Sequence, residues 1–182
     1  MALRIRWPNP NDALSVAQIR VASWRATYRG IVPDSYLDAM SAEENAPQWE
    51  PAAHGEQAGA RLLMCEEEGR AVGFAAFGAA RPPQFGYSGE LYAIYFLPGA
   101  MGKGFGSVLV AHAMRGLKEL GHNDMILWVM EKNTRGRRFY ESRLGMTAVD
   151  GVRQSFEIDG HAIWEMAYGL KLLPHNAPPS AS

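Results

Sequence analysis

A glycine-rich segment between an apolar strand and an amphipathic helix is the feature that most constrains how this chain folds. Residues 90–97 are strongly apolar and aromatic, and Pro98-Gly99 ends them, which predicts a buried strand. Residues 99–106 contain four glycines and lead into a predicted helix that runs to about Leu120. Gly121 follows as a stop signal. The inward-facing stripe of this helix consists of Leu109, Val110, Ala113, Leu117 and Leu120.

The order of strand, glycine-rich turn and helix start favours the binding of an anion. Glycine lets the backbone approach a ligand closely, and the amides and dipole of a helix N-terminus stabilise negative charge such as a pyrophosphate. Lys103 adds a positive charge. The spacing differs from a P-loop, because Phe105 follows Gly104, and it also differs from the dinucleotide pattern G-x-G-x-x-G. Taken alone, the loop is equally consistent with a connection that binds nothing.

The remaining periodic segments predict one α/β domain. Apolar residues spaced three and four apart from Leu14 to Tyr28 predict a helix over residues 13–28, and Glu68-Gly69-Arg70 predicts a hairpin turn. We expect a mixed, mostly antiparallel sheet flanked by helices over residues 1–173, and a disordered tail over residues 174–182. The other predicted strands are 3–7, 61–67, 71–80, 124–130, 146–150, 151–158 and 162–168; the other helices are short ones within 34–50 and one over 133–144, with a loop over 51–59.

Composition excludes several classes of protein. The 182 residues carry 18 Lys and Arg against 19 Asp and Glu, so there is no general basic field to hold a nucleic acid or an anionic membrane. Apolar runs fall well short of the roughly 18 residues of a membrane span, and the chain start lacks a signal-peptide pattern, so we expect a cytoplasmic protein. A single cysteine, Cys65, and five scattered histidines predict neither a disulfide nor a metal site.

Three segments of the chain resemble the GCN5-related N-acetyltransferase family, GNAT. The family signature is a strand followed by Q/R-x-x-G-x-G/A at the start of the main helix, and residues 101–106 match it from the second position onward. Met101 stands where the family has Gln or Arg. Residues 23–33 resemble the first-helix region of a GNAT subgroup, and residues 133–146 resemble the later CoA-side motif. The resemblance spans about residues 3–170 and implies a single-domain GNAT fold with splayed central strands.

The same resemblance implies which residues contact acetyl-CoA. In the family, backbone groups of the strand contact the acetyl and pantetheine units, the loop amides hold the pyrophosphate, and the later helix contacts pantetheine and phosphate. Ile94 also fits plain core packing, Asn133 fits a helix N-cap, and Arg137 fits a solvated helix face. The residues carried over are Ile94, Tyr95 and Phe96 in the strand, Gly102, Lys103, Gly104, Phe105, Gly106 and Ser107 in the loop, and Asn133 and Arg137 in the helix.

Two residues are candidates for the chemistry itself. Tyr140 matches the family tyrosine whose phenol protonates the departing CoA thiolate, although a half-buried core aromatic is the other interpretation. Glu90 begins the strand before the loop, where many family members carry a carboxylate that serves as base or orients the amine; an exposed acid at a strand start is the alternative. Tyr92 alternates onto the same face, and Trp24 and Tyr28 are candidates for contacting the acceptor.

The resemblance therefore predicts an acetyl-CoA-dependent N-acetyltransferase in which a primary amine attacks the thioester directly within a ternary complex. We expect a small-molecule acceptor and no metal. A protein N-terminal or lysine acetyltransferase and a non-catalytic acyl-CoA-binding module are the alternatives. By analogy with the family, residues 152–168 are a candidate surface for a homodimer.

Overall fold

A computed structural model describes residues 2–56, 59–82 and 85–172. The predicted tail over residues 174–182 lies outside the described residues. The strands are β1 (Leu3–Arg6), β2 (Ala60–Glu67), β3 (Arg70–Ala79), β4 (Gly89–Phe96), β5 (Asp124–Met130), β6 (Thr147–Ile158) and β7 (His161–Lys171). The helices are α1 (Asp12–Thr27), α2 (Asp34–Ala39), α3 (Ala42–Asn45), α4 (Glu50–Ala53), α5 (Phe105–Glu119) and α6 (Thr134–Leu144), with 3-10 turns at Ala46–Trp49 and Pro98–Ala100.

The seven strands form one mixed sheet in the order β1-β2-β3-β4-β5-β7-β6. Every neighbouring pair is antiparallel except β4 and β5, which run parallel. These two central strands pair only where Gly89 to Leu91 lie beside Met125 to Leu127. Beyond that point they separate, which confirms the mixed, mostly antiparallel sheet with splayed central strands.

Helices cover both faces of the sheet. On one face, the stripe of α5 at Leu109, Ala113 and Leu117 is fully buried in a core cluster with Phe77 and Leu127. On the other, Val16 and Ile19 of α1 pack in a cluster with Met64 and Phe74. These amphipathic faces explain why the two segments are helical here, because each buries one apolar side against the sheet.

Two tight turns have the geometry that their residues favour. Glu68 and Gly69 both have positive φ, at 53° and 80°, and Asp159 and Gly160 repeat this at 48° and 75°. Positive φ at both central residues is the type I′ geometry that matches the twist of a hairpin. The predicted hairpin between β2 and β3 is therefore confirmed, and a second hairpin of the same kind joins β6 and β7.

Some details of the sequence prediction were wrong. Leu14 was placed on the inward face of α1, yet its side chain is 42% exposed. The predicted loop over residues 51–59 begins with the short helix α4. The two strands predicted over residues 146–158 form one strand, β6 (Thr147–Ile158), whose pairing with β7 is interrupted between Ala148 and Arg153. Gly151, with φ of 68°, lies within this interruption and accounts for the break that the sequence suggested.

Candidate active site

The glycine-rich segment turns the chain sharply between β4 and α5. Gly102 and Gly104 have φ of 83° and 87°, in the left-handed region that side chains rarely adopt, and Gly104 is the N-cap of α5. No side chain caps this helix start. The amides of its first turn are therefore available to an anion, as expected for a strand, glycine turn and helix in this order.

A cavity of about 380 Å³ opens in front of this helix start, which we call the glycine-loop cavity. Ile94, Tyr95 and Phe96 of β4 line one side of it, and Asn133 and Tyr140 line the other. Because β4 and β5 have already separated at this level, the cavity occupies the space that a continuous sheet would close. The splay thus creates the cleft in which the predicted cofactor residues meet.

The structure brings most, but not all, of the predicted loop residues to this cavity. Gly102, Gly104, Gly106 and Ser107 line it, whereas Lys103 and Phe105 do not. The Nζ atom of Lys103 donates instead to both carboxylate oxygens of Glu67, each at 2.8 Å. The Lys103 ammonium, which the sequence analysis assigned to a bound anion, is therefore paired with an acidic side chain of β2.

The arginines that reach the cavity are Arg135 and Arg143, and Arg137 points elsewhere. The Nε of Arg137 donates to the Tyr168 hydroxyl at 3.2 Å, and one of its terminal nitrogens donates to the Glu131 carbonyl at 3.3 Å. A helical spacing of four places Arg135, Phe139 and Arg143 on one face of α6, and all three line the cavity. That spacing is visible in the sequence and singles out Arg135 and Arg143, whereas the family resemblance pointed to Arg137.

Asn133 caps a helix and also lines the cavity. Its Oδ1 accepts a hydrogen bond from the Gly136 amide at 2.9 Å, so it caps α6. The same residue lines the glycine-loop cavity. A side chain at position 136 would lie 2.6 Å from the Asn133 amide nitrogen, so glycine there is what lets the cap close.

A second, more polar cavity of about 260 Å³ lies beyond the first and is called the polar cavity here. Trp24, Tyr92 and Glu90 line it, which places the predicted acceptor-side residues together. Its walls come from α1, β4, β5, β6 and β7. Burial raises the pKa of Tyr92, and the Glu90 charge adds to this.

Glu90 is buried rather than an exposed acid at a strand start. Only 1% of it is exposed, and its carboxylate accepts the Arg81 backbone N–H at 2.9 Å and the Arg81 guanidinium at 2.5 and 3.1 Å. The Arg81 side chain is 65% exposed and stacks over the Tyr92 ring at 4.9 Å. Buried carboxylates are normally paired in this way, and here the partner was not apparent from the sequence.

The two cavities share a wall of five residues: Tyr28, Ile94, Tyr95, Asn133 and Tyr140. Burial raises the pKa of the Tyr28, Tyr95 and Tyr140 hydroxyls, so all three are protonated donors at neutral pH. Two bound molecules, one in each cavity, would meet at this wall. The arrangement suits a reaction between a ligand held at the glycine loop and a second ligand held among carboxylates.

Sequence reasoning missed Glu165, which lines the polar cavity from β7. Ile163 and Ala167 lie on the same face of the strand and are buried, so Glu165 is a carboxylate between two apolar neighbours. Burial raises its pKa. Strict alternation along residues 162–168 would have singled it out, because an acid on the inward face of a strand is unusual.

Comparison with known proteins places this cleft in a family. The family model described as the acetyltransferase (GNAT) family matches residues 18–146, more than half of the chain. The chain belongs to the GNAT family. The matched range includes residues 18–27 of α1, the glycine-rich segment, and the strand and helices that line the glycine-loop cavity.

Relatives similar in sequence are also acetyltransferases. An uncharacterized N-acetyltransferase of Bacillus subtilis is 32% identical over 165 residues, covering 91% of each chain. A probable N-acetyltransferase of Mycobacterium tuberculosis is 28% identical over 192 residues and covers 97% of each. The chain is thus an N-acetyltransferase of the GNAT family by its relatives as well as by its motif.

Solved structures agree on the fold. The PaiA N-acetyltransferase of Thermoplasma acidophilum, in complex with coenzyme A, has a TM-score of 0.71 at 21% identity and covers 94% of this chain and 99% of its own. The putative acetyltransferase YncA of Salmonella typhimurium, with acetyl-CoA, has a TM-score of 0.69 at 22% identity over the full length of both. Two features are absent from the part of the chain that the structure describes. No described helix is long and apolar enough to span a bilayer. Within the described ranges, no group of three or more His, Cys, Asp or Glu side chains is arranged to hold a metal.

Proposed function

We propose that this GNAT protein transfers the acetyl group of acetyl-CoA to the primary amine of a small molecule, by direct attack within a ternary complex. One observation carries the proposal: a cavity at a glycine-rich helix start and a cavity lined by carboxylates share one wall. A donor anchored at the first and an amine held in the second would meet beside Tyr140.

The glycine-loop cavity fits a phosphorylated thioester. The first-turn amides of α5, from Gly104 onward, suit the pyrophosphate, and Arg135 and Arg143 supply positive charge at the same cavity. Asn133 and the strand residues Ile94 to Phe96 line the same cavity, where pantetheine and the acetyl group would lie. The structures of the Thermoplasma and Salmonella proteins contain coenzyme A and acetyl-CoA, which supports this choice of donor.

The polar cavity fits a small amine. Its volume of about 260 Å³ suits a compact molecule, and Trp24, Tyr28 and Tyr92 offer aromatic surface to a cation. Two carboxylates line the cavity: Glu90, which the sequence singled out as base or orienting group for the amine, and Glu165. A backbone amide near Phe96 would stabilise the oxyanion of the tetrahedral intermediate.

Tyr140 is proposed as the general acid. It lines both cavities, and burial keeps its phenol protonated. It would give its proton to the sulfur of the departing CoA thiolate. Cys65 is a poor alternative as an acetyl carrier, because it is fully buried and burial raises the pKa of its thiol to about 11. Direct attack by the amine is therefore preferred to a covalent intermediate.

The test is calorimetric titration of acetyl-CoA and free CoA into the protein, followed by a thiol-release screen over small primary amines and short peptides. We expect binding of both nucleotides and release of CoA with at least one small amine. Release with peptides alone would favour a protein acceptor, and binding without release under any condition would favour a non-catalytic module. Absence of binding would contradict the proposal outright.

A further inference from the structure

The two carboxylates of the polar cavity differ in what already binds them. Glu90 accepts three hydrogen bonds from Arg81, one from its amide and two from its guanidinium. A cationic ligand would have to compete with that guanidinium for the same oxygens. The Glu90 carboxylate is therefore already paired within the protein. This pairing suits a structural role, in which Glu90 holds Arg81 and the start of β4 in place.

Glu165 has no such partner. It lies opposite Met130 of β5 and Gln154 of β6, and its carboxylate accepts one neutral hydrogen bond, from Gln154 Nε2 at 3.2 Å. Among the residues that the structure describes, no lysine or arginine lies at ion-pair distance from it. The cavity thus contains one carboxylate whose charge a ligand could neutralise.

We propose that Glu165 binds the ammonium group of the acceptor and takes its proton, and that the acceptor is a small primary amine that enters the polar cavity as a cation. This inference rests on the proposed acetyl transfer, since it assigns the amine-binding residue of the same site. Aromatic rings of Trp24, Tyr28 and Trp128 line the cavity beside Glu165, and aromatic faces attract cations.

The proton balance of the step closes. One proton passes from the ammonium to a Glu165 oxygen and leaves a neutral amine with a free lone pair. The nitrogen then bonds to the thioester carbonyl carbon, the carbon–sulfur bond breaks, and the sulfur takes a proton from Tyr140. The second proton lost by the nitrogen restores the Tyr140 phenol, and Glu165 returns its proton to water.

The surroundings of Glu165 suit proton transfer at neutral pH. Burial raises the pKa of Glu165, the hydrogen bond from Gln154 and the charge of Arg81 lower it, and the charge of Glu90 raises it again. The net direction is upward. Tyr28 and Tyr95 also face this charge, and both are neutral because burial raises their own pKa. A carboxylate with a raised pKa is a better proton acceptor, and Glu165 already lines the cavity in which the proposed ammonium would lie.

The experiment compares benzylamine, a cation at neutral pH, with benzyl alcohol, its neutral analogue, as probes of the polar cavity. Their affinities for the protein are measured by NMR titration, with and without saturating CoA. We expect the wild type to bind the cation about tenfold more tightly, as for a charge-assisted contact. Glu165→Gln should reduce that preference to within about twofold, because the amide retains the size and the Gln154 contact but carries no charge.

Glu157→Gln is the matched control, since Glu157 is an exposed acid on the neighbouring strand β6 and lines neither cavity. It should keep the wild-type preference. A preference that survives in Glu165→Gln would overturn the proposal, as would its loss in Glu90→Gln alone or its absence from the wild type. Glu165→Asp, which keeps the charge, should restore part of the preference if the charge itself is responsible.

A measurement on the wild type guards against a variant that fails to fold. Lowering the pH protonates Glu165 while benzylamine stays cationic, so binding of benzylamine should weaken on acidification and binding of benzyl alcohol should not. Equal pH responses of the two probes would contradict the proposal. Acetyl-CoA binding is measured in the same samples. A wild type that binds acetyl-CoA but shows no ammonium preference overturns only the assignment of Glu165, whereas a wild type with an ammonium site and no acetyl-CoA binding overturns the proposed function.

Discussion

Tyr140 lies where the two cavities join, and among the contacts described for it none is a hydrogen bond of its hydroxyl. Its ring packs against Phe139 and Tyr168, at centroid distances of 5.4 and 6.1 Å, so the aromatic body is structural and the hydroxyl is available for chemistry. A substitution that keeps the ring and removes the hydroxyl therefore separates the two roles.

We predict that Tyr140→Phe lowers kcat about 100-fold, because general acid catalysis typically contributes factors of that order. Acetyl-CoA affinity should stay within about twofold, since the ring and the cavity wall remain. Initial rates and calorimetry measure both. Tyr87→Phe is the control, because Tyr87 lines neither cavity, and it should retain full activity. Unchanged kcat in Tyr140→Phe would remove the hydroxyl from the mechanism.

For single residues, the sequence predicted the conformation where neighbouring residues in the chain determine it. Asn133 as a helix cap and Gly104 as a left-handed turn follow from a few neighbouring residues. Which partner a side chain selects depends on contacts across the fold. Lys103 turned to Glu67, Arg137 turned to Tyr168, and Glu165 entered the cavity from the last strand, and none of these pairings has a local signature.

At the scale of elements, the start of α5 determines the shape of the glycine-loop cavity. The φ of 87° at Gly104 costs an L-amino acid roughly 1–2 kcal/mol, so a side chain there either strains the turn or moves the first helical amides. Either effect disturbs the anion site that those amides form.

Gly104→Ala is predicted to weaken acetyl-CoA binding about tenfold, the equivalent of that strain. Calorimetric titration measures it. Gly99→Ala provides the comparison in the same loop, because a Cβ there meets no atom within 4 Å and its φ is outside the positive region. It should bind acetyl-CoA like the wild type. Equal affinities for the two variants would show that the backbone at position 104 does not shape the site.

The start of α1 is tied to two strands through one arginine. Arg6 of β1 donates to both oxygens of Asp12, at 2.6 and 2.9 Å, and to Glu66 of β2 at 2.6 Å, while the Asn9 amide donates to Asp12 at 2.7 Å. Burial raises the pKa of Asp12, but these hydrogen bonds and the Arg6 charge outweigh burial and lower it overall. The ionised carboxylate is therefore a stabilising part of the fold.

Asp12→Asn should reduce the free energy of unfolding at neutral pH by about 1–3 kcal/mol, because one side of a buried charged contact is lost. Because the pKa of Asp12 is lower in the folded than in the unfolded protein, its ionised carboxylate stabilises the fold at pH values above the unfolded-state pKa. This contribution disappears as the pH falls through the folded-state pKa. The difference between wild type and variant should therefore shrink on acidification. Urea unfolding at several pH values measures it, with the exposed Asp150→Asn as control. A difference that is constant with pH would contradict the assignment.

Element boundaries were predictable where composition changes abruptly. β5 was predicted over residues 124–130, the range observed, because Gly121 precedes it and a polar segment follows it. β6 was predicted as two strands, since Gly151 interrupts the pattern, but its long pairing with β7 carries the strand through the interruption. Leu14 follows the apolar spacing of α1, but in the first turn Asp12 and Ala13 are buried and Leu14 is exposed.

At the scale of the whole molecule, the proposed direct transfer between two cavities that share a wall needs both ligands to be bound at once. The predicted steady-state pattern is sequential: double-reciprocal lines at several amine concentrations should intersect. Cys65→Ala should keep its kcat, because the buried thiol takes no part in transfer. Parallel lines together with an acetylated protein in mass spectra would indicate a covalent intermediate instead.

The sequence alone predicted the overall architecture well, because strand, glycine turn and helix occur in an order that few folds share. The splay itself was implied by family resemblance, and in the structure it follows from pairing of only three residues on each central strand. β6 lies at one end of the sheet, within the surface suggested for a homodimer. That assembly and the cytoplasmic location stay predictions.

The wall shared by the cavities links two properties that are usually treated as separate. Tyr28, Tyr95 and Tyr140 line both cavities, so in the proposed reaction they would border the acyl group on one side and the amine nitrogen on the other. A longer acyl chain would therefore take up space that the nucleophile needs. At these positions, selectivity for the transferred group and selectivity for its recipient would evolve together, because a substitution in the shared wall that enlarges one compartment reshapes its neighbour.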